Sequence, residues 1–221
     1  MKILNLYACL GGNRYKWDEV ADIEVTAVEL DPELARMYQA RFPNDTVIVA
    51  DAHQYLLDHY KEFDFIWSSP PCPSHSRARF ARRDTTEIIY PDLKLYEEII
   101  FLDNYFEGKY LIENVIPYYE PLIPAKKRGR HLYWCNFNLP NTLSERKTPI
   151  GSNKDKQKTE ETNHEFKGLC RFHEYDFTKY KGNQRMDKIA RNLVDYEAGK
   201  TILETALGII RKQDINQGEL F

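Results

Sequence analysis

The chain has 221 residues, 42% hydrophobic and 29% charged, with a formal net charge of −3; this is the balance of a globular domain with a well-buried core and room for a small subdomain. No apolar run approaches the ~20 residues that a bilayer span requires, so a membrane protein is not expected. The opening MKILNLYACLGG is too short for a signal peptide and reads as a first strand entering a glycine turn, which makes a cytoplasmic protein the expectation.

In chain order, KILNLYA is a short apolar strand, and LGGNRYKWDEVA supplies a glycine turn and a helix. EVTAVEL is a second strand. DPELARMYQARF follows with Asp31 as N-cap, Pro32 at the first helical position and apolar residues at helical spacing. DTVIVAD is a third strand, AHQYLLDHYKEF a helix and DFIWSS a fourth strand. LKLYEEIIFLDNYF reads as helix and KYLIENV as a fifth strand. Continuous apolar strands alternating with helices predict an α/β fold, a mostly parallel sheet covered on both faces. Beyond Val115, IPYYEPLIPAKKRGR is proline-punctuated loop and HLYWCNF a strand. From Leu139 to about Gly182 the chain is polar, basic and weakly periodic. RMDKIARNLVDYEAGKTILETALGIIRK returns to helical texture, and QDINQGELF reads as a loose tail.

In open α/β sheets ligands sit outside the carboxyl ends of the strands. After the first strand, Gly11 and Gly12 permit close backbone approach to a ligand. Glu29 ends the second strand, where a carboxylate can accept both hydroxyls of a ribose. Asp51 ends the third, placed to accept from an adenine amino group. Each alone is also what a solvated strand-end acid or a tight turn looks like; all three in order favour an adenosine-containing cofactor. No G-x-x-x-x-G-K-[ST] loop and no G-x-G-x-x-G fingerprint is present, which disfavours ATP and NAD and leaves S-adenosylmethionine.

The four cysteines, Cys9, Cys72, Cys135 and Cys170, form no C-x-x-C pair, so neither structural zinc nor a disulfide framework is expected, and no metal. Cys72 stands out in SSPPCPSHSRARFARR, held at a strand end by Pro70 and Pro71 and followed by clustered arginines, as a nucleophile could be. Lys and Arg outnumber Asp and Glu by eight between Pro121 and Arg191, leaving −11 elsewhere. Such a split suits one face meeting a polyanion, or a solvated lysine-rich loop.

NLYACLGG, AVELD, VADA, SSPPCPSHS, IENV, KKRGRHLY and RNLV occur in that order from Asn5 to Val194, and on these the chain resembles the DNA (cytosine-5) methyltransferase family. The resemblance implies a Rossmann-like S-adenosylmethionine-dependent methyltransferase fold acting on DNA. Cys72 would add to carbon 6 of cytosine, making carbon 5 able to take the methyl group. Glu113 matches the carboxyl that protonates or hydrogen-bonds nitrogen 3. Arg130 would bind the cytosine O2, with Arg128 supporting Cys72 or a phosphate. Tyr7 would line the cofactor pocket where the family usually has phenylalanine, Pro70 would fix the backbone beside the nucleophile, and Asn192 would sit near the methionine part of the cofactor. The target base must be flipped out of the duplex. Arg77, Arg79, Arg82 and Arg83 would hold DNA phosphates from the mobile loop after Cys72, with Phe80 packing on DNA or protein.

The chain departs from the family at Cys9, where a glycine is usual, at Pro73 and Lys126, where glutamine is usual, and at Arg191, where glycine is usual. The resemblance divides it into a catalytic domain, 1–134 and 186–221, and a target-recognition lobe at 135–185, reduced to about fifty residues that include Phe166, Phe172, Tyr175, Phe177 and Tyr180. Recognition is then short, relaxed or supplied by a protein partner, in a bacterial or phage setting such as restriction–modification. The alternatives are an RNA (tRNA) cytosine-5 methyltransferase, an amino-methyltransferase with Cys72 in place of its aromatic residue, and a DNA-binding subunit without catalysis.

Overall fold

The computed structural model describes residues 1–144 and 157–209. Among the described residues seven strands form one sheet: β1 Lys2–Leu6, β2 Glu24–Glu29, β3 Thr46–Val49, β4 Phe65–Ser68, β5 Lys109–Val115, β6 Lys126–Arg128 and β7 His131–Cys135. Their order is β3-β2-β1-β4-β5-β7-β6. The first five run parallel, and β7 is antiparallel to both β5 and β6. This is the mostly parallel sheet expected of a Rossmann-like methyltransferase.

Alternate residues of the strands bury into two cores. Leu4, Leu6, Val28, Ile66 and Ile112 pack on one side with Leu56 of helix α2 (Ala52–His59) and with Leu95, Ile99 and Leu102 of α4 (Lys94–Tyr105). Ile3, Val25, Phe65, Trp67 and Leu111 face the other side, against Trp17 and against Ile202 and Leu203 of α7 (Tyr196–Ala206). Both faces being covered is why the strands read as unbroken apolar runs. Each such side chain contributes roughly 1.5–3 kcal/mol by leaving water.

Helix α1 (Pro32–Arg41) starts as its sequence predicts, with the Asp31 carboxylate accepting from the Glu33 and Leu34 amides and Pro32 in the first turn. The segment after the glycine turn is a 3-10 helix, Asn13–Glu19, and not an α-helix. It is clamped between the sheet and α7: the Trp17 indole donates to the Gly199 carbonyl at 3.2 Å. A Cβ at Gly199 would lie 2.3 Å from the Asn13 carbonyl oxygen. Arg14 is buried and pairs with both oxygens of buried Asp45 at 2.9 Å, which also accepts from the Tyr38 hydroxyl at 2.8 Å.

Among the described residues four elements fall where no regular structure was expected: β6 inside the proline-punctuated loop, the short helix α3 (Arg77–Phe80), and α5 (Gln157–Phe172) and the 3-10 helix Phe177–Lys179 in the weakly periodic stretch. Leu169 of α5 joins Leu10, Leu34, Met37 and Ile189 in one buried cluster, with Phe166 and Cys170 packed against it. In the sequence the apolar residues Phe166, Leu169 and Cys170 follow the polar run QKTEETNH, so the period is too short to read. Ile189 belongs to α6 (Met186–Asn192), which leads through Leu193 and Val194 into α7. The basic residues expected at 145–156, and the tail expected from 213 on, lie outside the described residues.

Candidate active site

The register across the sheet sets Ile48, Val28, Leu6, Ser68 and Ile112 at one level. Beyond that row the strand ends deliver Glu29, Tyr7, Ser69 and Glu113 to one side, where a cavity of about 980 Å³ opens. Every residue expected to carry catalysis or hold cofactor lines it, except Gly11.

The chain turns sharply after β1. Tyr7 and Cys9 both lie in the left-handed region, at φ 55° and 48°, which costs a non-glycine residue about 1–2 kcal/mol each. A glycine at position 9 would adopt this conformation without that cost. Glu29 offsets the cost. Its Oε2 accepts from the Cys9 amide at 2.8 Å and its Oε1 from the Asp31 amide at 2.9 Å. Burial pushes the Glu29 carboxyl up against the pull of those two amides. Burial, with the Glu29 charge beside it, pushes the Cys9 thiol up to about 12, so Cys9 stays protonated.

The glycine pair serves packing. A Cβ on Gly11, at φ 65°, would lie 2.5 Å from the Phe42 ring, and one on Gly12 2.6 Å from the Val194 carbonyl oxygen. Protein atoms occupy the space a Cβ would need at either position, and of the two glycines Gly12 borders the cavity. Asp51 caps α2 through the Gln54 amide at 3.1 Å and faces the Lys94 ammonium at 3.5 Å, and its backbone donors hold its carboxyl below the ordinary value.

The loop that carries Cys72 is stitched to the segment after β5. Asn114 Nδ2 donates to the Pro70 carbonyl at 3.0 Å, and the Cys72 carbonyl accepts from the His75 and Ser76 amides at 3.0 and 3.1 Å. Arg77 Nε donates to the Pro117 carbonyl at 2.9 Å. Burial pushes the Cys72 thiol up and the Glu113 carboxylate adds to this, while the Lys188 ammonium pulls it down. Glu113 itself is buried on β5.

Arg130 is exposed at the turn between β6 and β7 and borders the cavity. Arg128 borders it too, but its guanidinium donates to the carbonyls of Lys127, Leu139 and Pro140. Support of Cys72 or a phosphate by Arg128 therefore has to compete with three backbone acceptors. Asn192 borders the cavity at the end of α6, and Arg191 beside it forks onto Glu165 of α5 at 3.0 and 2.9 Å. Arg191, where glycine was expected, thus has a carboxylate partner in α5.

The four arginines after Cys72 stand outside the cavity. Arg77 is committed to Pro117, and Arg79 closes its own loop onto the Glu87 carbonyl at 2.6 Å. Arg82 and Arg83 donate to the carbonyls of Ala78 and Phe80, one turn back. Phe80 packs on protein, stacking flat on Tyr118 at 4.6 Å with Arg83 above it. Beside them Ile88 is 83% and Tyr90 95% exposed; apolar residues in a polar, proline-ended loop were the signal for that surface, and sequence reasoning passed over them. It also missed Lys188, which sits one turn before Asn192 on α6.

The aromatic residues expected to touch DNA from the 135–185 segment are turned inward. Phe177 and Tyr180 are buried, Phe166 and Tyr175 pack against the same cluster, and Phe172 stacks on Tyr196 at 4.7 Å. The Tyr180 hydroxyl and Gln184 Nε2 donate to Asp31 Oδ2 at 2.7 and 3.1 Å, tying the segment to the rim of the cavity. Among the described residues no group of three or more His, Cys, Asp or Glu could hold a metal ion, and no helix is long and apolar enough to cross a membrane.

The profile of the C-5 cytosine-specific DNA methylase family matches residues 1–115. Among solved structures, the Entamoeba histolytica methyltransferase EhMeth aligns over 96% of this chain and 99% of its own, with a TM-score of 0.53 and 9% identity. A triple mutant of Spodoptera frugiperda DNMT2 aligns over 94% and 98%, with a TM-score of 0.48 and 14% identity. The first of these shows a shared fold. A sequence search of curated proteins finds no match.

Proposed function

Because the chain belongs to the C-5 cytosine-specific DNA methylase family, whose profile covers its residues 1–115, we propose that it methylates carbon 5 of cytosine in DNA through a covalent adduct with Cys72. The observation that carries this reading is that Cys72 and Glu113, on different strand ends, line one cavity with Tyr7 and Glu29.

The residues fit S-adenosylmethionine. Each Glu29 oxygen accepts one backbone amide and keeps a lone pair for a ribose hydroxyl. Asp51 stands at the next strand end for the adenine amino group, with Tyr7, Gly12, Pro70 and Asn192 walling the space between. Gly11 acts by shaping the loop that carries Gly12. When bound, the cofactor supplies an electrophilic methyl group on a sulfonium.

The Cys72 thiol, raised by burial, must lose its proton before it adds to carbon 6 of the flipped base. The Glu113 carboxyl, carrying a proton at this step, donates it to nitrogen 3 as negative charge builds on the ring. Arg130 at the rim holds the O2 oxygen, and Arg128 braces the loop beneath it through its carbonyl contacts. Once carbon 5 carries the methyl group, loss of its proton to a base expels Cys72 and restores the ring. Arg82 and Arg83, with exposed Ile88 and Tyr90, form the face that meets the nucleic acid, while Arg77 and Arg79 hold that loop in shape.

The catalytic domain comprises 1–134 and 186–221. Among the described residues of the 135–185 segment Phe166, Tyr175, Phe177 and Tyr180 face inward, which favours recognition that is relaxed or shared with a protein partner. The test is transfer of a labelled methyl group from S-adenosylmethionine to duplex DNA and, in parallel, to tRNA. Labelled 5-methylcytosine in DNA supports the proposal; label in tRNA alone replaces the substrate; label in neither overturns it.

A further inference from the structure

Glu98 lies in α4 with its side chain at 0% exposure. A carboxylate in a core is costly unless donors surround it, and three reach this one from three separate elements. The Tyr7 hydroxyl, one residue beyond β1, donates to Oε1 at 2.6 Å. The hydroxyl of Ser68, the last residue of β4, donates to Oε2 at 2.6 Å. His53 Nδ1, from the first turn of α2, lies 3.1 Å from Oε1.

Each donor belongs to a segment that builds the cavity. Tyr7 opens the left-handed turn toward Gly12, Ser68 leads into Ser69-Pro70-Pro71-Cys72, and His53 follows Asp51 by two residues. Glu98 itself does not border the cavity, nor does Ser68. Its neighbours Leu95, Ile99 and Leu102 form a buried apolar stripe, so an apolar side chain at 98 would satisfy packing alone. A charge at this position has to be explained by what it holds.

We propose that Glu98 is a positioning residue that couples the cofactor loop to the nucleophile loop. One carboxylate oxygen holds Tyr7 and the other Ser68, so a shift of either loop turns the carboxylate and loosens the other. A ligand that settles the Tyr7 loop thereby settles Cys72. The inference rests on reading this cavity as the cofactor site and Cys72 as its nucleophile.

The test uses the full chain with single donors removed, Tyr7→Phe and Ser68→Ala, each a mild change that leaves the carboxylate two donors. Two quantities are read: the dissociation constant for S-adenosylhomocysteine by calorimetry, and the iodoacetamide alkylation rate of Cys72, resolved by mass spectrometry from that of Cys170. Coupling predicts cross-effects. Tyr7→Phe should raise Cys72 alkylation at least threefold, and Ser68→Ala should weaken S-adenosylhomocysteine at least threefold, with Cys170 alkylation unchanged. In a Glu98→Gln background both cross-effects should vanish. Effects confined to each residue's own loop, cross-effects that persist in Glu98→Gln, or a parallel rise at Cys170 would each overturn the inference. A wild-type chain that binds no S-adenosylhomocysteine would instead remove the cofactor reading, while the alkylation arm would still decide the coupling.

Discussion

Gly12→Ala probes what the glycine pair does. Its backbone is ordinary, so any penalty must come from space. The added Cβ would meet the Val194 carbonyl oxygen at 2.6 Å and the Leu193 Cβ at 3.0 Å. Neither is the free end of a flexible side chain, so the loop after β1 must part from the α6–α7 connection by several tenths of an ångström. Overpacking of this kind costs about 1–3 kcal/mol, which for a domain this size lowers the melting temperature by about 2–4 °C per kcal/mol. Because Asn192 and Val194 border the cavity with Gly12, S-adenosylhomocysteine affinity should fall as well. Calorimetry with and without ligand measures both. An alanine variant that binds ligand weakly but melts like wild type would refute the packing reading and favour one in which the glycine makes way for ligand.

Asp45→Ala takes one of two carboxylates from buried Arg14, leaving it Asp18, and the lost charged hydrogen bonds should cost about 1.5–3 kcal/mol, read by urea denaturation. His53 has its pKa raised by Glu98, with Glu97 assisting and burial and Lys94 opposing. A raised histidine stabilises the fold at low pH and loses that contribution as pH climbs through its folded value. Melting temperature should therefore fall between about pH 6 and about pH 8 more in wild type than in His53→Gln. The Lys188 ammonium is the cation that lowers the Cys72 thiol, so Lys188→Met should slow Cys72 alkylation near neutral pH about two- to threefold, and less so in high salt. An unchanged rate would remove Lys188 from the site.

The sequence conveyed what local chemistry encodes. Asp31 before Pro32 marked the start of α1 because a cap and a fixed φ act within one turn. The strands announced themselves because both faces of each are buried. Cys72 after Pro-Pro and Glu113 in Glu-Asn-Val stood out because each belongs to a short motif at a strand end, and both line the cavity. What stayed hidden depends on contacts between distant segments. Nothing beside Gly12 tells that Val194 will lie against it. Nor does Arg191 reveal that Glu165 will receive it. Glu98 did leave a trace, a charge on the apolar stripe of Leu95, Ile99 and Leu102, but its donors come from three other elements. The inward turn of Phe177 and Tyr180 was hidden for the same reason: aromatic composition suits a core as well as a nucleic-acid surface.

The central claim is that Cys72 attacks the cytosine ring. Duplex DNA carrying 5-fluorocytosine, incubated with S-adenosylmethionine, tests it most directly, since fluorine at carbon 5 blocks the final elimination and leaves the adduct in place. The wild-type chain should form a complex that survives denaturing electrophoresis, joined through Cys72 by peptide mapping, and Cys72→Ala should form none. Equal trapping by both proteins, or methylation of ordinary cytosine by Cys72→Ala, would contradict the account.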